Sequence, residues 1–285
     1  MTTITTSDQA VTLAEGVTLQ VRRWHQPGGS DHTLVLLHEA LGNIELWRDF
    51  PMQLARATGL DVLAYDRRGY GSSTPEAYPR PMDYLEVEGE VWLPRLLEAL
   101  ALDQVILVGH SDGGSIVLVG AGAMPDRVTG LVTMAPHITV DRLTIQGIRE
   151  TAERYRTTDL PERLARRHGE RGRLLFDAWQ DTWLDPEFQQ RMNFEPWLAR
   201  IRCPTLVLQG ENDEYGLPEQ VHSIVERLGA RARGLMVPEA GHFPHAQQPE
   251  FVVSAIRSFV TSIIIEPGEG EGGSASARSN GDSNQ

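Results

Sequence analysis

The chain alternates short, uniformly apolar runs with longer stretches of helical periodicity. Residues 34–37, 62–65, 105–108, 130–134 and 205–208 offer almost no polar face. A strand of that kind has to be covered on both sides, which implies a mostly parallel sheet between two layers of helices, joined by right-handed crossovers. Residues 232–237 continue the series, whereas 17–23 alternate apolar and polar positions as an early antiparallel strand does. Helical periodicity covers 47–57, 84–100, 218–228 and 251–264, with Gly89 and Pro94 expected to kink or delay the second of these. From 138 to 200 the rhythm changes: no strand-like run occurs, and Arg, Glu and aromatics such as Phe176, Trp179 and Trp183 dominate. That segment reads as a helical insertion between two strands. The expected division is a core of residues 1–137 plus 201–265, a helical cap at 138–200, and a disordered tail at 266–285 that is rich in Gly, Ser, Glu and Asn.

Gly109-His110-Ser111-Asp112-Gly113 stands between the apolar run 105–108 and the apolar stretch 116–119. Gly-x-Ser-x-Gly alone is common by chance. At the join of a buried strand and a helix it marks a nucleophile elbow, where a sharp turn lifts a serine hydroxyl clear of the sheet and small neighbours let the backbones approach.

Composition removes competing chemistries. All 26 residues in the Lys+Arg total are arginine, so neither a Schiff base nor a P-loop lysine is available. No Gly-x-Gly-x-x-Gly follows an early strand, and no cofactor is expected. Cys203 is the only cysteine, which excludes an internal disulfide; before Pro204 it reads as a small buried hydrophobe. A net charge of -13 argues against a nucleic-acid partner. The first residues contain no apolar leader and no apolar run is long enough to span a bilayer, so the expected setting is cytoplasmic and away from membranes. The sequence leaves the oligomeric state open.

A serine hydroxyl is a weak nucleophile and needs a base, an orienting acid and donors for the developing oxyanion. In this architecture the chain order is Ser, acid, His. Asp213 follows the run 205–208 and His242 follows the run 232–237, so both lie at carboxyl ends of expected parallel strands. Glu211 and Glu214 compete with Asp213, and His245 competes with His242. His242 and His245 could suggest a metal pair, but no third ligand accompanies them, and no metal is expected.

These features together resemble the α/β-hydrolase superfamily over residues 15–265. The resemblance is carried by Leu36-Leu37-His38 with Gly42, by Asp66-Arg67-Arg68-Gly69-Tyr70-Gly71-Ser72, by the elbow, by Gly210-Glu211-Asn212-Asp213 and by Gly241-His242. It implies an eight-stranded, mostly parallel sheet with helices on both faces and a helical cap. It further implies Ser111 as nucleophile, Asp213 as acid and His242 as base, with the backbone N–H groups of Asp112 and Glu39 forming the oxyanion hole. Many relatives carry Gly where this chain has Glu39, so its carboxylate has to point away or be held, for instance by a cap arginine. His38, Trp179 and Trp183 are expected at the pocket of a small-molecule substrate. The implied activity is hydrolysis of carboxylic esters through an acyl-enzyme. Lactone, thioester and carbon–carbon bond hydrolysis would use the same residues, and a non-catalytic small-molecule receptor would use the same fold. Dehalogenases and epoxide hydrolases of this fold carry aspartate at the nucleophile position, unlike Ser111.

Overall fold

A computed structural model describes residues 3–265; the expected tail at 266–285 lies outside them. Eight strands, β1 (Thr5–Thr12), β2 (Thr18–His25), β3 (Thr33–Leu37), β4 (Asp61–Tyr65), β5 (Val105–His110), β6 (Val128–Met134), β7 (Thr205–Gly210) and β8 (Ala232–Val237), form one sheet. Its order is β1-β2-β4-β3-β5-β6-β7-β8. The first two strands pair antiparallel, β2 pairs antiparallel with β4, and every later pairing is parallel. The open, mostly parallel eight-stranded sheet is the one expected.

Strand β1 is absent from the sequence reading. Seven of its eight residues are exposed, so no alternation signals it. It is held by full register with β2, from Thr5 opposite His25 to Thr12 opposite Thr18.

Helix α1 (Phe50–Thr58) is shorter than its periodicity suggests. A 3-10 turn over Ile44–Trp47 precedes it, capped by the Asn43 side chain. Arg48 then takes a positive φ of 50° and breaks the helical path. Pro51 restarts it, because a first helical turn has no use for the missing N–H. The expected kink within 84–100 takes the form of α2 (Tyr84–Val87), a π-helical turn at Glu88–Trp92, and α3 (Leu93–Ala99). The wider turn sits just before Pro94, whose ring would clash with a regular helical carbonyl. Gly89 brings this segment against α4 (Asp112–Ala123): a Cβ there would lie 2.7 Å from Val119.

The two faces of the sheet carry separate cores. On one, Phe50 and Leu54 of α1 pack on Leu34 and Val62 together with Val252 and Ile256 of α12 (Pro249–Ile265), which follows the short α11 (Pro244–Gln247). On the other, α3, α4 and α10 (Glu219–Leu228) cover Val35, Leu107 and Val207. Each fully buried aliphatic side chain contributes roughly 1.5–3 kcal/mol. Residues 112–122 of α4 are all buried, as a helix apolar on every side requires.

Between β6 and β7 the chain forms α5 (Arg142–Thr157), α6 (Leu160–His168), α7 (Arg171–Leu184), α8 (Pro186–Arg191) and α9 (Glu195–Leu198). The segment closes on itself where Phe194 N–H donates to the Ile138 carbonyl at 3.3 Å. Two residues latch it to the loops below. His168 accepts from Gly71 N–H at 3.1 Å and donates to the Leu41 carbonyl at 3.0 Å. Arg171 donates to the carbonyls of Ser73, Gly69 and Gly71.

Candidate active site

Ser111 sits between the end of β5 and the start of α4 with φ 52° and ψ -118°, a conformation that L-residues rarely hold. Close packing enforces it. A Cβ on Gly109 would stand 2.1 Å from the Gly113 carbonyl oxygen, and one on Gly113 would stand 2.0 Å from the Leu37 carbonyl oxygen. Only glycine fits either place. The second contact also sets the loop after β3 against the N-terminus of α4.

The three candidate residues meet. Ser111 Oγ lies 2.9 Å from His242 Nε2, and His242 Nδ1 lies 2.9 Å from Asp213 Oδ1. Asp213 Oδ1 also accepts the Tyr215 N–H at 2.9 Å, and Gln209 Nε2 lies 3.3 Å from Oδ2. Glu211 is exposed, while Glu214 accepts the backbone N–H of His242 at 3.1 Å and so holds the turn rather than the ring. His245 faces Trp47, Phe50 and His110 instead of a carboxylate, and burial pushes its pKa down to about 3. His242 moves the other way. Burial alone would lower its pKa, but the charge and hydrogen bond of Asp213, with Glu214 and Glu39 nearby, raise it above the usual value. Burial raises the Asp213 carboxyl and His242 overrides it, leaving that pKa lowered.

Beside the serine, neither Glu39 nor Asp112 donates its backbone N–H to an acceptor among the described residues. Glu39 does not rely on a cap arginine to hold its carboxylate; Oε2 folds back to accept the N–H of Leu41 in its own loop. Arg67 ties the two loops together. Its guanidinium donates to the Glu39 carbonyl at 3.0 Å and lies 3.6 Å from Asp112 Oδ2. Tyr84 donates to the same Asp112 oxygen at 2.8 Å.

His38 corrects the sequence reading. It is buried beneath the loop and does not line the cavity. Nδ1 meets the Glu39 carbonyl at 2.7 Å and Nε2 accepts the Arg67 N–H at 3.1 Å, so the ring is a neutral strut. Burial, with Arg67 close by, drives its pKa well down. Trp179 and Trp183 do reach the cavity, which occupies about 360 Å³ above Ser111 and His242. That volume suits a small organic ligand.

A model of the alpha/beta hydrolase family matches residues 34–255, from β3 into α12. The chain belongs to the alpha/beta hydrolase family. It is 29% identical over 255 residues to the human serine hydrolase BPHL, covering 86% of this chain and 82% of that protein. It is 28% identical over 260 residues to the pimeloyl-[acyl-carrier protein] methyl ester esterase of Edwardsiella ictaluri, covering 83% and 96% of the two chains. In fold it is similar to a thermophilic esterase from Thermogutta terrifontis, with TM-score 0.65 and 22% identity over 90% of this chain and 99% of the other. These relatives are hydrolases.

In this alpha/beta hydrolase Arg67 and Tyr84 carry no signal of their own in the sequence that marks them as site residues. Arg67 lies inside a motif already quoted, but only the fold brings it to residues 39 and 112. Tyr84 arrives from a helix with no motif of its own. Tyr215 is a third: its ring packs 4.6 Å from that of His242, centroid to centroid. Among the described residues no helix is long and apolar enough to cross a membrane.

Proposed function

We propose that the chain is a serine hydrolase acting on carboxylic esters or related small acyl substrates through an acyl-enzyme. The observation that carries this reading is the unbroken hydrogen-bonded series from Ser111 Oγ through His242 to Asp213 at the floor of a cavity. The kinship with a methyl ester esterase supports the ester class. Binding alone would need no such series, which weighs against a receptor of the same fold.

His242 Nε2 takes the hydroxyl proton as Ser111 Oγ attacks the substrate carbonyl. The resulting oxyanion is received by the N–H groups of Asp112 and Glu39, both otherwise unused. Asp213 holds the imidazole in its Nδ1–H form and stabilises the cation. His242 then returns the proton to the leaving alkoxide, which departs as the alcohol. Water enters, gives a proton to His242 and attacks the acyl carbon; collapse frees the acid and restores Ser111. Helices α5 to α9 act as the cap, with Trp179 and Trp183 as an apolar wall.

The test is hydrolysis of p-nitrophenyl esters from acetate to decanoate by the wild type and Ser111→Ala, with fluorophosphonate labelling. Turnover and labelling that both vanish in Ser111→Ala are expected. A folded wild type that neither turns over an ester nor labels at Ser111 would overturn the reading.

A further inference from the structure

The protein carries a net charge of -13, yet Arg48, Arg154, Arg163 and Arg167 all line the cavity above Ser111. The acids lining it are Glu39 and Asp112. Asp112 is already engaged by Tyr84 and Arg67, and the Glu39 carboxylate accepts the Leu41 N–H, so among the described residues neither acid forms an ion pair with Arg48, Arg163 or Arg167. Excess acid over base on the chain as a whole therefore gives way to excess base at this one opening.

Of these arginines, Arg48 and Arg163 are exposed at the cavity and Arg167 lies between exposed and buried. Arg163 and Arg48 both act on Arg167 as like charges, with Glu39 the opposing one. Among the described residues neither Arg167 nor Arg48 forms an ion pair, and Arg163 has only an exposed contact with Asp159 at 3.4 Å. Many surface arginines lack partners; these differ in converging on one cavity from two separate elements, α6 and the turn before α1. Arg48 is also held at φ 50° and ψ -123°, where glycine would sit without strain. Arg154 is anchored apart from them, donating to Thr151 Oγ1 at 2.6 Å and to Tyr215 Oη at 3.0 Å.

We propose that the substrate carries a carboxylate at a distance from its scissile ester bond, and that Arg48, Arg163 and Arg167 hold that carboxylate. The inference rests on the esterase reading and narrows it to mono-esters of dicarboxylic acids and similar anionic esters. Three cations against Glu39 and the exposed Asp159 still leave a net positive charge that a carboxylate neutralises, through the charge-assisted, bidentate contacts arginine favours. A small anion suits the site better than an acidic protein surface, which the net charge of the chain would repel at long range.

Monomethyl esters of C4 to C8 dicarboxylic acids are to be compared with methyl esters of the matching monocarboxylic acids. The anionic ester is expected to have at least about tenfold higher kcat/KM, chiefly through KM. Arg163→Gln with Arg167→Gln should collapse that ratio, Arg167→Lys should retain part of it, and raising salt should shrink it. Equal kcat/KM for the paired esters, or a ratio indifferent to both arginine substitutions, overturns the proposal. So would a preference confined to acyl groups tethered to an acidic protein. Calorimetry on Ser111→Ala separates the two readings: arginine-dependent binding of the mono-ester to this variant, beside a wild type that turns over no ester, keeps the ligand class and sinks the esterase. Ser111-dependent turnover of neutral esters without anion preference does the reverse.

Discussion

Trp183 donates its indole N–H to the hydroxyl of Tyr84 at 2.9 Å. Through that bond a helix of the insertion reaches the residue next to Ser111, because the Tyr84 hydroxyl donates a hydrogen bond to Asp112. Burial, with Asp112 adjacent, raises the Tyr84 pKa well above its usual value, so it remains a donor at any working pH. Tyr84→Phe leaves the buried Asp112 oxygen with Arg67 alone, at 3.6 Å. The expected cost is about 1–3 kcal/mol of stability, read from urea unfolding. The rate kcat should also fall, by less than the ~10²–10³ that follows complete loss of an oxyanion donor. A Tyr84→Phe enzyme that matches the wild type in both would remove Tyr84 from any positioning role.

Ser111→Ala and His242→Ala should each abolish nearly all turnover, and the double variant should be no worse than either, because the residues act as one unit. Asp213→Asn should lower kcat by roughly 10⁴, since the imidazole then loses its orienting acceptor. Additive losses in the double variant would show that the two side chains do not share a step.

In the proposed mechanism the neutral form of His242 is the base, and the pH profile follows from it. Its pKa is raised above 6.5, so kcat/KM on a non-titrating ester should climb with pH along a limb centred above 6.5. In Asp213→Asn burial is no longer opposed by that charge, and the limb should move to lower pH in whatever activity remains. Glu214→Gln should move it in the same direction by less. An unmoved limb in Asp213→Asn would mean that another group controls the acidic side.

Stability has its own pH dependence. Burial pushes the carboxyl of Glu88, in the π-helical turn, from 4.5 up to about 7, against the opposing pull of Arg67. A carboxyl with a raised folded pKa holds its proton more tightly in the folded state. Its contribution is complete below pH 4.5 and is lost as pH rises through about 7. The loss is on the order of 3 kcal/mol. Glu88→Gln should flatten this part of the stability–pH curve between pH 4.5 and 8, measured by urea midpoints; an unchanged slope would assign it elsewhere.

His168→Ala and Arg171→Ala each cut the latch between the insertion and the loop at 66–74. Both should raise KM more than they lower kcat, since Ser111, His242 and Asp213 are held from below. Limited proteolysis should then cut first within α5 to α9.

Much of this was legible because the site is built on strand ends. The runs before Ser111, Asp213 and His242 are apolar and short, and each candidate side chain follows its run within a few residues, so local pattern and position in the fold coincide. Edge strand β1 left no such trace, since exposed positions carry no periodicity. His38 misled for a different reason: its place after β3 is a pocket position in sequence, but its two backbone partners, residues 39 and 67, are united only by folding. The arginine cluster was equally hidden, as Arg48 and Arg167 lie far apart in the chain and meet at one opening.

The hydrogen bond from Phe194 to Ile138 makes the insertion a loop with a closed neck. Everything between those residues leaves and re-enters the core at one point, and no strand pairing depends on it. Ser111, Asp213 and His242 all lie outside that span. Replacing residues 139–193 as one piece would therefore take Trp179, Trp183, Arg163 and Arg167 away from the cavity and leave Ser111, Asp213, His242 and Arg48 in their places.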